Sequence, residues 1–237
     1  MKTQFEKASV IDVHAHIVLK ETFGVAGKLG PELGDQDGEI PWFRVGDYRL
    51  DGVRYENSPF MSVDLRLVKM DEAGIDCQVV SPNPLTFLHH IPKELAISFC
   101  RIHNDALSKT ISGQDRLHGF AALPIQDLTA SVEELDRAVK ECGLLGGYIG
   151  TDGPFALDSE EMNILYEKCL ELDVPLFIHP SPAGIDGPKG DKALDKYDLD
   201  VVVGFAAQET LAVARLIFGG VLERFPNIDI CISHGGG

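Results

Sequence analysis

The chain has 237 residues, 44% of them hydrophobic and 24% charged, with 21 Lys and Arg against 37 Asp and Glu for a net charge of −16. That balance repels phosphate backbones and anionic lipid surfaces, and no apolar run stands out at the roughly 20 residues a membrane helix needs, so neither nucleic acid nor membrane is an expected partner. Nothing ahead of Ile11 reads as a secretory start, and the five cysteines (Cys77, Cys100, Cys142, Cys169 and Cys231) are scattered without a C-x-x-C pair, which predicts a cytoplasmic protein with reduced core thiols.

The first predicted strand, Val10-Ile11-Asp12-Val13-His14-Ala15-His16, closes on two histidines spaced i, i+2. Side chains alternate along a strand, so both imidazoles point one way, which is half of a transition-metal site. Residues 20–61 follow as a Gly-, Pro- and charge-rich insertion holding Trp42, Arg44, Arg49 and Arg54; it is expected to be a loop that covers the histidine pair. Ser62 is placed to cap a helix with Val63, Leu67 and Met70 on one face, ended by Gly74. Cys77 to Ser81 reads as a second strand, and residues 92–112 as a helix with Pro92 in its first turn and Leu95, Phe99, Ile102, Ala106 and Leu107 inward.

Leu117 to Leu123 is the third strand, followed by a helix with Leu128, Val132, Leu135 and Val139 along its apolar stripe. Gly146 to Gly150 is a thin fourth strand. Asp158-Ser159-Glu160-Glu161 resembles a capping box for a helix burying Leu165, Cys169 and Leu172. Val174 to His179 is the fifth strand, and after a Gly/Pro/charge-rich loop residues 205–225 predict a helix burying Leu211, Ala214, Ile217, Phe218 and Leu222. Ile228 to His234 is the sixth strand.

Strands alternating with helices argue a parallel sheet buried on both faces, either an open doubly wound sheet or a closed barrel. Histidines end the first, fifth and sixth strands, and a ring brings those ends to one mouth, so the expected fold is a TIM (β/α)8-type barrel forming a single domain over residues 1–237. Six strands do not close such a barrel; about two βα units are expected beyond the sixth strand, with an uncovered sheet edge in their place. His89 and His90, in a Pro-flanked loop after the second strand, stand near the mouth, whereas His103 and His118 read as structural. No Walker, nucleophile-elbow or H-E-x-x-H motif occurs.

The set His14-x-His16, Phe177-Ile178-His179-Pro180 and Ile232-Ser233-His234-Gly235-Gly236-Gly237, with Leu65-Arg66-Leu67-Val68-Lys69-Met70-Asp71 and Gly219-Gly220-Val221-Leu222-Glu223-Arg224-Phe225-Pro226, resembles the amidohydrolase superfamily. Within it the likeness is to the branch of the 2-amino-3-carboxymuconate 6-semialdehyde decarboxylases. The resemblance implies one divalent metal, zinc by preference, held by His14, His16 and His179 and by an eighth-strand aspartate that lies beyond residue 237. It implies that His234 moves protons, that Arg54, with Arg49 as rival, binds a substrate carboxylate, and that the protein is a homodimer.

Such an ion lowers the pKa of a bound water to about 7 and polarises a carbonyl, while a histidine with a reference pKa near 6.5 exchanges protons beside it. The expected function is a metal-dependent lyase that decarboxylates a small unsaturated or aromatic carboxylic acid. A metal-dependent hydrolase of a lactone or C–C bond, or an inactive fragment lacking the last ligand, are the alternatives.

Overall fold

A computed structural model of the chain describes residues 7–34 and 40–236. Strand β1 (Ile11–Ile17) leads into the insertion, where β2 (Glu32–Gly34), β3 (Trp42–Val45) and β4 (Tyr48–Asp51) form a three-stranded antiparallel sheet. The insertion is therefore a small sheet where a loop was expected. Its strands are three or four residues long, too short for their alternation to stand out, yet Phe43 and Val45 alternate inward with Trp42 and Arg44 as a pleat requires. Phe43, Val45 and Tyr55 pack on Leu85, Leu88, Ile91, Phe99 and Ile185, a core separate from the barrel's own.

Helix α1 (Val63–Ala73) starts where Ser62 Oγ accepts from the Leu65 amide and stops at left-handed Gly74. Strand β5 (Cys77–Pro82) is buried throughout and leads to α2 (Lys93–Ile111), with Pro92 at the N-cap, one place earlier than expected. The third predicted strand is split into β6 (Leu117–Gly119) and β7 (Ala121–Ala122). At the break the Phe120 amide donates to Val80 on one side and the Ala121 amide to Gly146 on the other, so the sheet stays continuous in hydrogen bonding.

Helix α3 (Leu128–Lys140), strand β8 (Gly147–Gly150), helix α4 (Asn163–Leu172) and strand β9 (Leu176–His179) follow in turn. The capping box does not form: Ser159 precedes a 3-10 turn with no side-chain capping bond, its Oγ is buried without a partner, and α4 begins only at Asn163.

A short helix α5 (Leu199–Val202) precedes the long predicted helix, which is itself two pieces, α6 (Gly204–Phe218) and α7 (Val221–Arg224), before β10 (Ile230–Ile232). Gly220, at φ +71°, breaks it. The buried face of α6 is also the opposite of the one expected. Glu209, Ala212 and Leu216 are inside, while Leu211, Ile217 and Phe218 are exposed, because the helix turns its polar residues toward the strand ends. By length and composition Leu199–Phe218 is apolar enough to cross a membrane, which corrects the expectation that no such run exists. Asp200, Glu209 and Arg215 interrupt the run and hid it in the sequence.

The parallel strands pair in chain order, β1 with β5, β5 with β6, then β7, β8, β9 and β10. A doubly wound sheet reverses its order at a switch point; sequential pairing is the order of a barrel. Among the described residues no further strand pairs with the outer edge of β1 or β10. The arc still curls enough to bring His14 and His234, from its two outermost strands, to a ring separation of 4.7 Å.

Candidate metal centre and active site

The pairing of β1 with β5 shifts register between Asp12 and Ala15, so one extra residue is accommodated where His14 stands. Bulges of this kind re-aim side chains beside active sites. Asp12 fixes this one: Oδ1 accepts from the His14 amide at 3.0 Å and Oδ2 from Gln78 Nε2 at 2.7 Å. Gln78 Oε1 in turn accepts from Arg66 Nη1, and Arg66 Nη2 donates to the His16 carbonyl, each at 2.6 Å. A buried guanidinium thus ties α1 to the backbone of the histidine strand. Arg66 was legible only as part of a helix motif, not as an inward residue.

Four imidazoles meet at the strand ends. Ring centroids of His16 and His179 are 4.8 Å apart, those of His14 and His179 5.0 Å, of His14 and His16 5.1 Å, and of His179 and His234 4.8 Å. Donor atoms of His14, His179 and His234 all lie within 4.8 Å of one another, with the His16 ring adjoining them.

The protonation pattern follows from the partners. A carbonyl oxygen can only accept, so the Nδ1 of His16 facing Pro82 O at 3.2 Å, and that of His179 facing Pro180 O at 2.5 Å, carry the protons. Each ring then presents an Nε2 lone pair. Outer-sphere carbonyls orient metal-binding histidines in this way. Burial, then neighbouring imidazoles, hold His16 down at about 3 and His179 at about 2, and burial followed by His234 lowers His14 as well.

His179 Nε2 and His14 Nε2 face each other at 3.1 Å. Two imidazole nitrogens each about 2.0–2.1 Å from one shared ion are separated by roughly this distance, and a cation relieves the crowding of lone pairs at neutral sites. The donor set therefore fits a divalent metal.

His234 differs from the other three. It sits just past β10 at φ +44°, followed by Gly235 and Gly236 at φ +77° and +91°, a left-handed run that only glycine continues without strain. Its side chain is 34% exposed, and its Nδ1 lies 3.0 Å from Oε1 of Glu209, which is fully buried. Ser233 Oγ donates to the same oxygen. Glu209 was missed in the sequence because it lies within the apolar helix whose phase was read the other way.

Gln208 locks that phase: Oε1 accepts from Thr151 Oγ1 at 2.8 Å and Nε2 donates to the Ser181 carbonyl at 2.9 Å, pinning α6 to the ends of β8 and β9. Aromatic rings floor the site, with Tyr148 5.9 Å and Phe205 6.0 Å from His179.

The structure does not bring Arg54 to these rings. It is exposed in a narrow cleft with Leu33, Gly34, Trp42, Tyr55 and Glu56 that none of the four histidines borders. Arg49 stacks on Trp42 at 4.8 Å and pairs with Asp51 at 2.7 Å. Arg49 is thereby held on the insertion's own sheet. His89 does reach the mouth: it is buried against Gly150, where a Cβ would meet its ring at 2.6 Å, beside Phe87 and Asp152. His103 is buried within α2, and the five cysteines are free thiols.

Comparison with known proteins matches the amidohydrolase family model over residues 11–237, and the chain belongs to that family. It is 30% identical over 238 residues to the 2-amino-3-carboxymuconate-6-semialdehyde decarboxylase of Dictyostelium discoideum, an alignment covering 96% of this chain and 63% of that one. It is 31% identical over 234 residues to the gamma-resorcylate decarboxylase of Rhodococcus jostii, covering 93% and 67%. Among solved structures, the dihydroxybenzoic acid decarboxylase of Polaromonas sp., with bound manganese and the inhibitor 2-nitroresorcinol, is similar at a TM-score of 0.72 and 25% identity, over 96% of this chain and 65% of that one. The chain spans about half to two thirds of the length of the curated relatives it matches.

Proposed function

We propose that this chain carries the metal site of a decarboxylase for a small aromatic or unsaturated carboxylic acid, with His14, His16 and His179 as ligands and His234 as the proton-transfer residue. The observation that carries the reading is the facing pair of Nε2 atoms on His14 and His179 beside a fourth imidazole open to solvent. A divalent ion bound there supplies Lewis acidity, which draws electron density from the substrate. Zinc suits an imidazole set, and the manganese in the Polaromonas relative makes that ion its competitor.

His234 supplies the proton. As the bond to the carboxylate breaks, its electron pair stays on the substrate carbon and carbon dioxide leaves; the His234 imidazolium gives its Nε2 proton to that carbon and is left as the Nδ1–H tautomer. The buried rings of Tyr148 and Phe177, with half-buried Phe205, exclude water from one side of this exchange and offer flat apolar contact to an unsaturated acid. A cytoplasmic homodimer without nucleic-acid or membrane contacts completes the proposal. The charge of −16 supports the first exclusion, and exposed Leu211, Ile217 and Phe218 support contact with a second copy.

The test is turnover of the metal-loaded protein on a panel of hydroxybenzoic and unsaturated dicarboxylic acids in oxygen-18 water. Carbon dioxide equimolar with unlabelled product is expected. Labelled product without carbon dioxide would make the protein a hydrolase or hydratase, and no turnover at full metal occupancy would count against any decarboxylase reading.

A further inference from the structure

Helix α6 delivers one fully buried carboxylate to the strand ends, and it is engaged on one side only. Oε1 of Glu209 accepts from both Ser233 Oγ and His234 Nδ1, whereas Oε2 is buried without a hydrogen-bond partner. A carboxylate kept only for stability is expected to have both oxygens satisfied, since an orphaned buried oxygen opposes folding. We propose that Glu209 is a positioning residue that holds His234 in the Nδ1–H tautomer and orients its Nε2 toward the facing nitrogens of His14 and His179.

Three observations support the assignment independently of any titration. Glu209 Oε1 already accepts from the Ser233 hydroxyl, so it is an acceptor, and the 3.0 Å contact places the proton on His234 Nδ1. The same oxygen binds the preceding residue, so Glu209 grips Ser233 and His234 together, at the entry to the left-handed turn that carries the imidazole away from the strand. The adjacent Gln208 is bonded to Thr151 and Ser181, which fixes the rotation of α6 and with it the height of Glu209 beneath His234. Replacing such a carboxylate by its amide keeps the shape and loses the tautomer choice, because an amide offers the ring a donor as readily as an acceptor.

The inference rests on His234 being the proton-transfer residue, and its test separates the two. Nitrogen-15 spectra of the histidine side chains in metal-free wild-type protein are expected to show His234 protonated at Nδ1 and unprotonated at Nε2. In Glu209→Gln that pattern should give way to a mixture of tautomers, while circular dichroism and metal stoichiometry stay at wild-type values. In the metal-loaded protein kcat should fall about 10²–10⁴-fold with KM within about threefold of wild type. Ser233→Ala, which leaves the ring contact in place, should fall much less.

If Glu209→Gln keeps both the wild-type tautomer and kcat, the inference is overturned whatever His234 does. If it loses kcat only in proportion to folded fraction, Glu209 is structural and the inference also fails. If His234→Ala retains turnover while Glu209→Gln alters the tautomer, the carboxylate positions the ring as proposed and it is the proton-transfer role that falls.

Discussion

The Nε2 atoms of His14 and His179 face each other at 3.1 Å although 165 residues separate them. The bulge in β1 and the Pro180 carbonyl after β9 set this approach, and it is the relationship on which the proposed chemistry turns. His14→Ala and His179→Ala should each lose bound metal and turnover together while the far-ultraviolet spectrum is preserved. Elemental analysis of dialysed protein checks this, and full occupancy in either variant would remove that residue from the ligand set.

Arg66 makes its two hydrogen bonds, to Gln78 and to the His16 carbonyl, inside the protein. Bonds from a charged donor contribute about 1.5–3 kcal/mol each, so Arg66→Met should cost roughly 3 kcal/mol in urea unfolding and loosen metal binding without removing a ligand. Unchanged stability would mean that the network among Asp12, Gln78 and Arg66 does not anchor β1.

The stability of the metal-free protein should fall as pH drops below about 6.5. Burial depresses His89 and His103 to about 4, as it does His16 to about 3 and His179 to about 2. Below 6.5 the unfolded chain binds protons that the folded one refuses, down to those values, at about 1.4 kcal/mol per pH unit for each proton. Asp152 works against this trend: burial raises it to about 6, so between that value and the ordinary carboxylate range the folded state binds the extra proton. The histidines outnumber it. Urea midpoints measured from pH 7.5 to 4.5 should therefore decline, and a flat profile would contradict the burial of these rings.

Phe218 is 89% exposed, with Leu211 and Ile217 exposed beside it on α6. Apolar surface in such a patch drives association. Replacing all three with Ser should lower the sedimentation coefficient of the protein toward that of a monomer, and an unchanged value would place any self-contact elsewhere.

What could be read from the residues alone was whatever local pattern determines. The four histidines were visible because they end apolar strands, and their recurrence at three strand ends decided for a barrel where the βα rhythm alone left a doubly wound sheet open. Ser62 and Gly74 announced both ends of α1. What stayed hidden depends on partners distant in sequence. Glu209 sits in a helix apolar on nearly every side, where periodicity leaves the phase open and only Gln208's bonds to Thr151 and Ser181 decide it. Arg66 points inward because Gln78 and the His16 carbonyl await it there. The insertion's strands are too short to show a period, and Arg54, assigned through the family resemblance, borders a cleft that none of the four histidines lines. At Asp158 to Glu161 the right residue types form a 3-10 turn in place of a capping box.

The central claim, three histidines for the metal and a fourth for the proton, is tested most directly by measuring metal content and turnover on the same sample of His234→Ala. Loss of a general acid typically costs about 10²–10⁴-fold in rate and leaves ligand binding in place. The account predicts near-stoichiometric metal in the variant, a rate reduced by that factor, and loss of one arm of the pH–rate profile. Stoichiometric loss of metal would make His234 a ligand in the trio it forms with His14 and His179, and wild-type turnover would leave it neither ligand nor acid.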